Sequence, residues 1–291
     1  MNAPAPQVFS LRRPGRRLGT ARPSVAIVGA TGAVGQELLQ VLARRNFPLG
    51  GLKLLASPRS AGKAMRFQDR EIAVDALDER SFQGIDLALF SAGSGISRAF
   101  APRAVQAGAI VVDNSSVFRM DAEVPLVVPE INDRTIARHT GIIANPNCVA
   151  IIALMALAPL HRRFALRRAV LASYQAASGG GAAMMQELVD STRAALAGEA
   201  FVPKLLSQPY AFNLFSHNTA IDPATGYNGE ETKVMQESRK ILDAPDLAIG
   251  ITCIRVPVLR AHSIAVTVEF ERPVDVAEAR AVLASAPGVR L

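Results

Sequence analysis

The stretch "SVAIVGATGAVGQELLQVLARR", residues 24–45, decides the fold of the first half of the chain. It opens with an apolar run of strand length, turns through three glycines and continues with apolar residues at helical spacing. Gly29, Gly32 and Gly35 lie where free backbone N–H groups and the helix dipole favour a diphosphate. The stretch therefore predicts the strand, turn and helix of a dinucleotide-binding domain, although a glycine triplet alone also fits a merely tight turn.

Four more apolar runs of strand length follow this stretch. They are "GLKLLAS", "DLALFSAG", "AIVVDNS" and "LVVPE", at residues 51–57, 86–93, 109–115 and 126–130. Helical or turn segments separate them, which is the alternation expected of a parallel sheet covered on both faces. We predict an α/β fold class, with a Rossmann-type doubly wound domain over residues 24–148.

The pattern changes after Cys148. A long apolar helix is followed by "RRAVLASYQAA" (residues 167–177), a glycine cluster, a helix over about 184–197 and a charged helix around residues 230–242. Two strand candidates close the chain, "LAIGITCIRVPV" (residues 247–258) and "SIAVTVEFERPV" (residues 263–274). We predict an α+β catalytic and dimerisation domain over residues 149–291, with a mixed, partly antiparallel sheet.

Charge and composition exclude several classes of protein. The formal net charge is +7, but five arginines lie in the first 23 residues, and the rest of the chain mixes signs with only 5% aromatic residues. We therefore expect no nucleic-acid partner. The chain contains no uninterrupted apolar run of membrane-spanning length, and its four histidines share no ligand spacing with each other or with the cysteines. Neither a membrane anchor nor a metal site is expected.

Two cysteines are too few for a disulfide framework, so we expect a reduced, cytoplasmic setting. Residues 1–23 are predicted to form a disordered basic tail or an overlong start, with an organelle leader as the alternative.

The second strand candidate runs into "ASPRSAGK", residues 56–63, where an NAD-specific site usually places an acidic residue. No acid is present there. Ser57, Arg59, Ser60 and Lys63 instead offer hydroxyl and cationic donors that suit a 2′-phosphate, which favours NADP. The alternative is that Arg59 and Lys63 are ordinary loop charges.

Cys148 follows Pro146-Asn147 and opens the long helix, where the positive end of the dipole stabilises a thiolate. Cys253 lies inside a strand candidate and fits inert packing. Gln175 and His262 lie where strands end; an amide can orient an acyl group and a histidine can move protons near neutral pH. Arg255, on the adjoining strand candidate, fits a carboxylate clamp.

Eight motifs together carry a family resemblance: "GATGAVG", "ASPRSAGK", "VVDNSSVFRM", "PLVVPEIN", "GIIANPNC", "SYQAASGGG", "EETK" and "TCIRVPVLRAHSIAV". Their order and spacing over residues 24–291 resemble those of aspartate-semialdehyde dehydrogenases. The resemblance implies NADPH-dependent reductive dephosphorylation of L-4-aspartyl phosphate to L-aspartate 4-semialdehyde, on the route to lysine, threonine and methionine. It also implies a homodimer or homotetramer.

The resemblance gives each site residue a role. Cys148 would be the nucleophile that forms a thioacyl enzyme, His262 the acid/base, and Gln175 the group that orients the acyl intermediate. Arg255 would bind the substrate α-carboxylate and Glu230 the α-amino group. The phosphate would be bound by Arg119, Asn147 and Lys233. NADP would contact Gly29, Thr31, Gly32, Ala33, Val34, Gly35, Ser57, Arg59, Ser60, Ser178 and Gly179.

Other interpretations of single residues stay open. Glu230 and Lys233 could be a surface ion pair of a charged helix, and Arg119 could be a solvated loop charge.

The chain also departs from the family in having Val149-Ala150 where Ser-Thr is usual and Ser263-Ile264 where Ser-Glu is usual.

The chain stops at "SAPGVRL", several tens of residues before the family's usual end, so we expect a truncated C-terminus. Two alternatives to the implied function remain. One is an N-acetyl-γ-glutamyl-phosphate reductase, and the other is a non-catalytic homologue that acts as a binding subunit.

Overall fold

The computed structural model describes residues 18–291. Most of the predicted basic tail, residues 1–17, lies outside the described residues, and residues 18–22 are exposed. The chain forms two compact units. The first comprises the chain up to Ala30, Leu38–Pro125 and Arg134–Ala144, and the second comprises Thr31–Glu37, Leu126–Asp133 and Asn145–Leu291.

The first unit contains a seven-stranded sheet of order β3-β4-β2-β1-β5-β6-β7. Its strands are β1 (Ser24–Val28), β2 (Gly51–Ala56), β3 (Ala64–Phe67), β4 (Arg70–Ala76), β5 (Leu87–Phe90), β6 (Ile110–Asp113) and β7 (Ile142–Ala144). All neighbours pair in parallel except β3 and β4, which are antiparallel. Helix α1 (Ala33–Arg44) follows β1, and α2 (Ser94–Gln106) connects β5 to β6. This arrangement confirms the Rossmann-type doubly wound prediction.

The end of β1 shows why a glycine is needed there. Gly29 has φ +86°, and a Cβ on it would lie 2.4 Å from the carbonyl oxygen of Ser91. A side chain would therefore clash with the segment that follows β5, as well as being strained at that φ. The Gly29 N–H donates to the Leu55 carbonyl oxygen (2.8 Å), which holds the turn beside the end of β2.

The prediction that "LVVPE" forms a strand is wrong. Leu126 is an isolated bridge residue, and helix α3 (Pro129–Asn132) begins within the segment. Val127 and Val128 are buried as a strand would be, but proline has no N–H for a sheet ladder and is favoured at the first position of a helix. The Asn132 side chain accepts the Val128 N–H (2.8 Å), which replaces the missing sheet partner.

The second unit contains a four-stranded sheet of order β11-β8-β10-β9. Its strands are β8 (Leu166–Gln175), β9 (Phe215–Ser216), β10 (Ala248–Arg255) and β11 (Ser263–Phe270). Its remaining helices are α4 (Cys148–Phe164), α5 (Ala182–Ala197), α6 (Gly229–Leu242) and α7 (Val276–Ser285). Strands β8 and β10 are parallel, and the β8–β11 and β9–β10 pairs are antiparallel, which confirms the mixed sheet.

Strand order brings three chain segments to one edge of this sheet. Gln175 and Arg255 are register partners at the carboxyl ends of β8 and β10. β11 runs the other way and begins opposite Tyr174, so His262, which precedes β11, lies at the same edge. β8 thus separates the strands that precede and follow His262, although these two strands are neighbours in sequence.

Across residues 18–291, no helix has the length and apolar character to cross a membrane. Within the same residues, no group of three or more histidine, cysteine, aspartate or glutamate side chains could hold a metal ion.

Candidate active site

Cys148 is the first residue of α4, and its side chain is exposed. Asn147 caps the helix: its side-chain oxygen accepts the N–H groups of Val149 (2.8 Å) and Ala150 (3.3 Å). A side-chain acceptor of this kind satisfies N–H groups that a helix start leaves unpaired. The capped helix start fixes the backbone on which the Cys148 thiol is carried.

Glu230 joins several of the predicted site residues. One carboxylate oxygen accepts hydrogen bonds from the Asn147 amide (2.8 Å) and the Gln175 amide (3.2 Å). The other lies 3.7 Å from the Lys233 ammonium. Burial alone would raise the pKa of Glu230, but the hydrogen bonds from Asn147 and Gln175 and the charge of Lys233 hold it below its ordinary value. Glu230 is therefore a buried carboxylate that stays ionised.

Gln175 is the last residue of β8, at a strand end as the sequence predicts, and its side chain is buried. Its amide nitrogen donates to Glu230. Its side-chain oxygen is buried and has no hydrogen-bond partner among the described residues. A buried acceptor of this kind is costly unless a ligand or water completes it.

His262 presents one ring nitrogen to the protein backbone and the other to Gly179. The Ala176 N–H donates to Nδ1 (3.0 Å), so the neutral ring carries its proton on Nε2. A Cβ added to Gly179 would lie 3.2 Å from that Nε2. Burial and the positive charge of Arg255 lower the pKa of His262, against the opposing charge of Glu230. His262 is therefore neutral at pH 7.

Arg255 is buried at the end of β10, with its guanidinium at the same sheet edge. It donates to the Ala176 carbonyl oxygen (3.4 Å), to Asn218 Oδ1 (3.4 Å) and to His217 Nε2 (2.8 Å). A planar guanidinium held at several points is well suited to binding a carboxylate.

Sequence reasoning missed His217. Burial and the neighbouring charge of Arg255 lower the pKa of His217 to about 4, so its Nε2 is free to accept from the guanidinium at neutral pH. The His217 backbone N–H also donates to the Cys253 carbonyl oxygen (2.9 Å). "FSHNT" carries no local motif, so only the tertiary contact with Arg255 reveals the residue.

Cys253 differs from Cys148 as the sequence predicts. It is buried in β10, and burial raises the pKa of its thiol to about 12. Its thiol is therefore protonated at neutral pH and a poor nucleophile.

The predicted cofactor residues fall in three places. The turn between β1 and α1 is held by Gln36, which donates to the carbonyl oxygens of Gly32 (3.0 Å) and Thr31 (3.2 Å). Ser57 and Arg59 are exposed after β2: Ser57 precedes a short 3-10 turn, Pro58–Ser60, that contains Arg59 and Ser60. Gly29 lies in the turn after β1, and Ala33, Val34 and Gly35 open helix α1. The third place is the 3-10 helix Ala177–Gly180, which contains Ser178 and Gly179.

Arg119 is buried in the loop that follows β6, within the first unit. Its guanidinium donates to the Asn114 carbonyl oxygen (3.0 Å). Asp113 anchors this loop, since its buried carboxylate accepts the hydroxyl groups of Ser97 and Ser115, each at 2.6 Å. The solvated-loop interpretation of Arg119 is therefore wrong.

The structure thus brings most of the predicted catalytic and substrate residues into connected groups of the second unit. Asn147, Gln175, Glu230 and Lys233 share hydrogen bonds or ion pairs. Arg255 and His262 both face Gly179.

Two family models match this chain. Residues 24–139 match the NAD binding domain of semialdehyde dehydrogenase, and residues 157–291 match its dimerisation domain. The aspartate-semialdehyde dehydrogenase of Synechocystis sp. is 54% identical over 267 residues, which cover 92% of this chain and 79% of the relative. The chain belongs to the aspartate-semialdehyde dehydrogenase family.

Other members of the aspartate-semialdehyde dehydrogenase family agree with this assignment. The Bacillus subtilis enzyme is 42% identical, with 92% of this chain and 79% of the relative covered. A crystal structure of aspartate semialdehyde dehydrogenase II from Vibrio cholerae complexed with ASA is 40% identical, has a TM-score of 0.90, and covers 92% of this chain and 80% of that one. The chain is an oxidoreductase with an NAD-binding domain and a dimerisation domain.

Proposed function

We propose that this protein catalyses the NADPH-dependent conversion of L-4-aspartyl phosphate to L-aspartate 4-semialdehyde and phosphate, with Cys148 as the nucleophile. The observation that carries the proposal is the bonding of Glu230. This one carboxylate binds the cap residue of the Cys148 helix, the buried Gln175 amide and the Lys233 ammonium. A thiol at a helix start is thereby tied to groups that suit a charged amino-acid substrate.

The substrate carries an α-carboxylate, an α-ammonium group and a phosphate. Arg255 supplies the donors for the carboxylate, and Glu230, which stays ionised, supplies the negative charge for the ammonium. Within the second unit, Lys233 and an N–H of the Asn147 amide are the donors for the phosphate, and the Lys233 ammonium offsets part of the charge of the dianionic leaving group. The Gln175 oxygen, buried without a partner in the described chain, is placed to bind the substrate or its acyl intermediate.

The chemistry begins when the Cys148 thiolate attacks the acyl carbon. A C–S bond forms, the C–O bond to phosphate breaks, and phosphate leaves with the electron pair. The thioester that results is a good hydride acceptor, and bound NADPH supplies that hydride. Collapse of the thiohemiacetal breaks the C–S bond and regenerates the Cys148 thiolate.

His262 serves these steps as a hydrogen-bond donor through Nε2, since Nδ1 accepts the Ala176 N–H. The Nε2–H group donates to the oxygen that becomes negative in each tetrahedral intermediate. Protonation at Nδ1 would break the Ala176 hydrogen bond, so the neutral ring suits this site.

The cofactor is NADP rather than NAD. Gly29 forms the tight turn at the end of β1, where the backbone of Ser91 leaves no room for a Cβ, and the first glycine of a diphosphate-binding turn has this role. Ser57, Arg59 and Ser60 follow the neighbouring strand β2 and offer donors for the 2′-phosphate. "ASPRSAGK" has no acid to compete for that position.

Assembly and location follow from the same proposal. The dimerisation domain supports a homodimer or homotetramer, and an amino-acid biosynthetic role in lysine, threonine and methionine supply fits the cytoplasm. We propose a dinucleotide-binding domain over residues 24–148 and a catalytic and dimerisation domain over residues 149–291, a boundary four residues after the last step between the two compact units, from Ala144 to Asn145. The family models end and begin on either side of that boundary, at residues 139 and 157.

The test is NADP reduction by the purified chain given L-aspartate 4-semialdehyde, with and without phosphate. We expect NADPH to accumulate over many turnovers only when phosphate is present. N-acetyl-glutamate semialdehyde serves as the control, because its acylated nitrogen has no charge for Glu230 to pair with. Faster turnover of that control would favour the N-acetyl-γ-glutamyl-phosphate reductase alternative. No turnover of either aldehyde would favour the non-catalytic alternative.

A further inference from the structure

Glu237 lies two helical turns after Glu230 on α6, so both side chains project from the same face of the helix. Glu237 is only 1% exposed. Its carboxylate accepts the backbone N–H of Asn147 at 2.6 Å. Burial of a carboxylate is costly unless hydrogen bonds compensate it, and a well-packed apolar residue would fill the same space without that cost. The position of this acid therefore calls for a reason other than packing.

Helix α6 itself shows what such a contact does. In its capping box, Asn228 caps the helix and Glu231, at the third helical position, accepts the Asn228 backbone N–H (2.8 Å). This pair of contacts fixes the conformation of the residue before the helix.

The corresponding third position of α4 is Ala150, which has no side-chain acceptor. The Asn147 N–H is bonded instead by Glu237, ninety residues further along the chain. We propose that Glu237 is a positioning residue for the nucleophile: it completes the capping box of the Cys148 helix from a neighbouring helix. Glu230 binds the Asn147 side chain while Glu237 binds its backbone, so α6 holds the residue before Cys148 at two points.

This inference rests on the proposed role of Cys148, and its test uses thiol chemistry that needs neither substrate nor cofactor. The chain of 291 residues carries Glu237→Gln or Glu237→Met. Both variants remove the charge and keep nearly the same length, but only Gln retains an acceptor for the Asn147 N–H. The rate of iodoacetamide alkylation of Cys148 is measured from pH 5 to 9 by mass spectrometry of its peptide. A Cys148→Ser variant gives the background.

Glu231→Gln is the matched control, because Glu231 is a buried carboxylate of the same helix that accepts the N–H groups of Asn228 and Cys253. We expect the Gln variant at position 237 and the Glu231→Gln control to react within about twofold of each other at pH 7. The Met variant should react about fivefold more slowly, the factor typical of a lost helix cap, and at a higher midpoint pH. Thermal melts identify which variants are folded.

Equal rates and midpoints for the Gln and Met variants would overturn the proposal, whether both match the unaltered chain or both are slow. Should the Met variant not fold, Glu237→Asp replaces it, since its shorter side chain cannot keep the 2.6 Å contact without movement of the helix. The Asp variant should then react more slowly than the Gln variant, and equality of these two would again overturn the proposal.

Discussion

Gly179→Ala should lower activity without lowering stability, and the structure sets the size of both effects. The added Cβ would lie 3.2 Å from His262 Nε2 and 3.3 Å from Arg255 Nη1. Since ordinary contacts to a Cβ lie at 3.4–4 Å, both side chains must move by a few tenths of an ångström. A misplacement of 1 Å at a catalytic site costs about 100-fold, so a shift of this size should cost roughly three- to tenfold in kcat/KM.

The same substitution leaves the backbone unstrained. Gly179 is exposed, lies in the short 3-10 helix Ala177–Gly180, and does not have a left-handed φ. Replacing such a glycine by alanine restricts the unfolded chain and stabilises a protein by about 0.4–1 kcal/mol. Activity should therefore fall while the melting temperature holds or rises.

The assay measures kcat and KM for L-aspartate 4-semialdehyde at saturating NADP and phosphate, beside thermal melts. Gly250→Ala is the control, because its Cβ would lie 3.6 Å from Tyr227 Oη, an ordinary contact. It should keep full activity. Unchanged kcat/KM in Gly179→Ala, or equal losses in both variants, would refute the placement of His262 and Arg255 against Gly179.

Three further substitutions test separate parts of the account. Cys148→Ser should abolish turnover, whereas Cys253→Ala should keep most of it because that thiol is buried and protonated. Equal loss of turnover in both variants would contradict the assignment of Cys148 as the nucleophile. Arg59→Ala should raise the Kd for NADP at least tenfold and leave that for NAD nearly unchanged, since only NADP presents a 2′-phosphate; parallel losses in binding titrations would make Arg59 structural. His217 is held neutral in the folded chain with a pKa of about 4. An unfolded histidine has a pKa near 6.5, so protonation favours unfolding as the pH falls below that value, and the loss continues towards pH 4. Between pH 7 and pH 5, urea unfolding should show the unaltered chain losing about 1–2 kcal/mol more than His217→Asn. Identical pH slopes for the two proteins would contradict the buried, neutral state of His217.

Local pattern was enough to predict most of the fold. β1, its glycine turn and α1 follow from apolar periodicity and from the φ that Gly29 requires. The β3–β4 hairpin was missed, because "AMRFQDREIAVDA" (residues 64–76) is mostly exposed and carries neither a glycine turn nor a continuous apolar run. "LVVPE" was misassigned because burial alone does not distinguish a strand from a loop that leads into a proline-initiated helix.

The sequence predicted a site residue only where the position of that residue in its own helix or strand indicates its chemical role. Cys148 was identified because a thiol at a helix start is a local feature. His217 and Glu237 were not, because each acts on a residue far away in the chain: His217 on Arg255, 38 residues later, and Glu237 on Asn147, 90 residues earlier. Nothing in the sequence around either residue encodes such a contact.

The most direct test of the central claim, a covalent acyl group on Cys148, is a single-turnover experiment without phosphate. Purified chain is mixed with excess L-aspartate 4-semialdehyde and NADP, NADPH is followed by absorbance, and the protein is then digested for mass spectrometry. We expect a burst close to one NADPH per active site, one aspartyl group on the Cys148 peptide, and release of that group when phosphate is added. A burst of the same size in Cys148→Ser, or steady turnover with an unmodified Cys148 peptide and no phosphate, would contradict it.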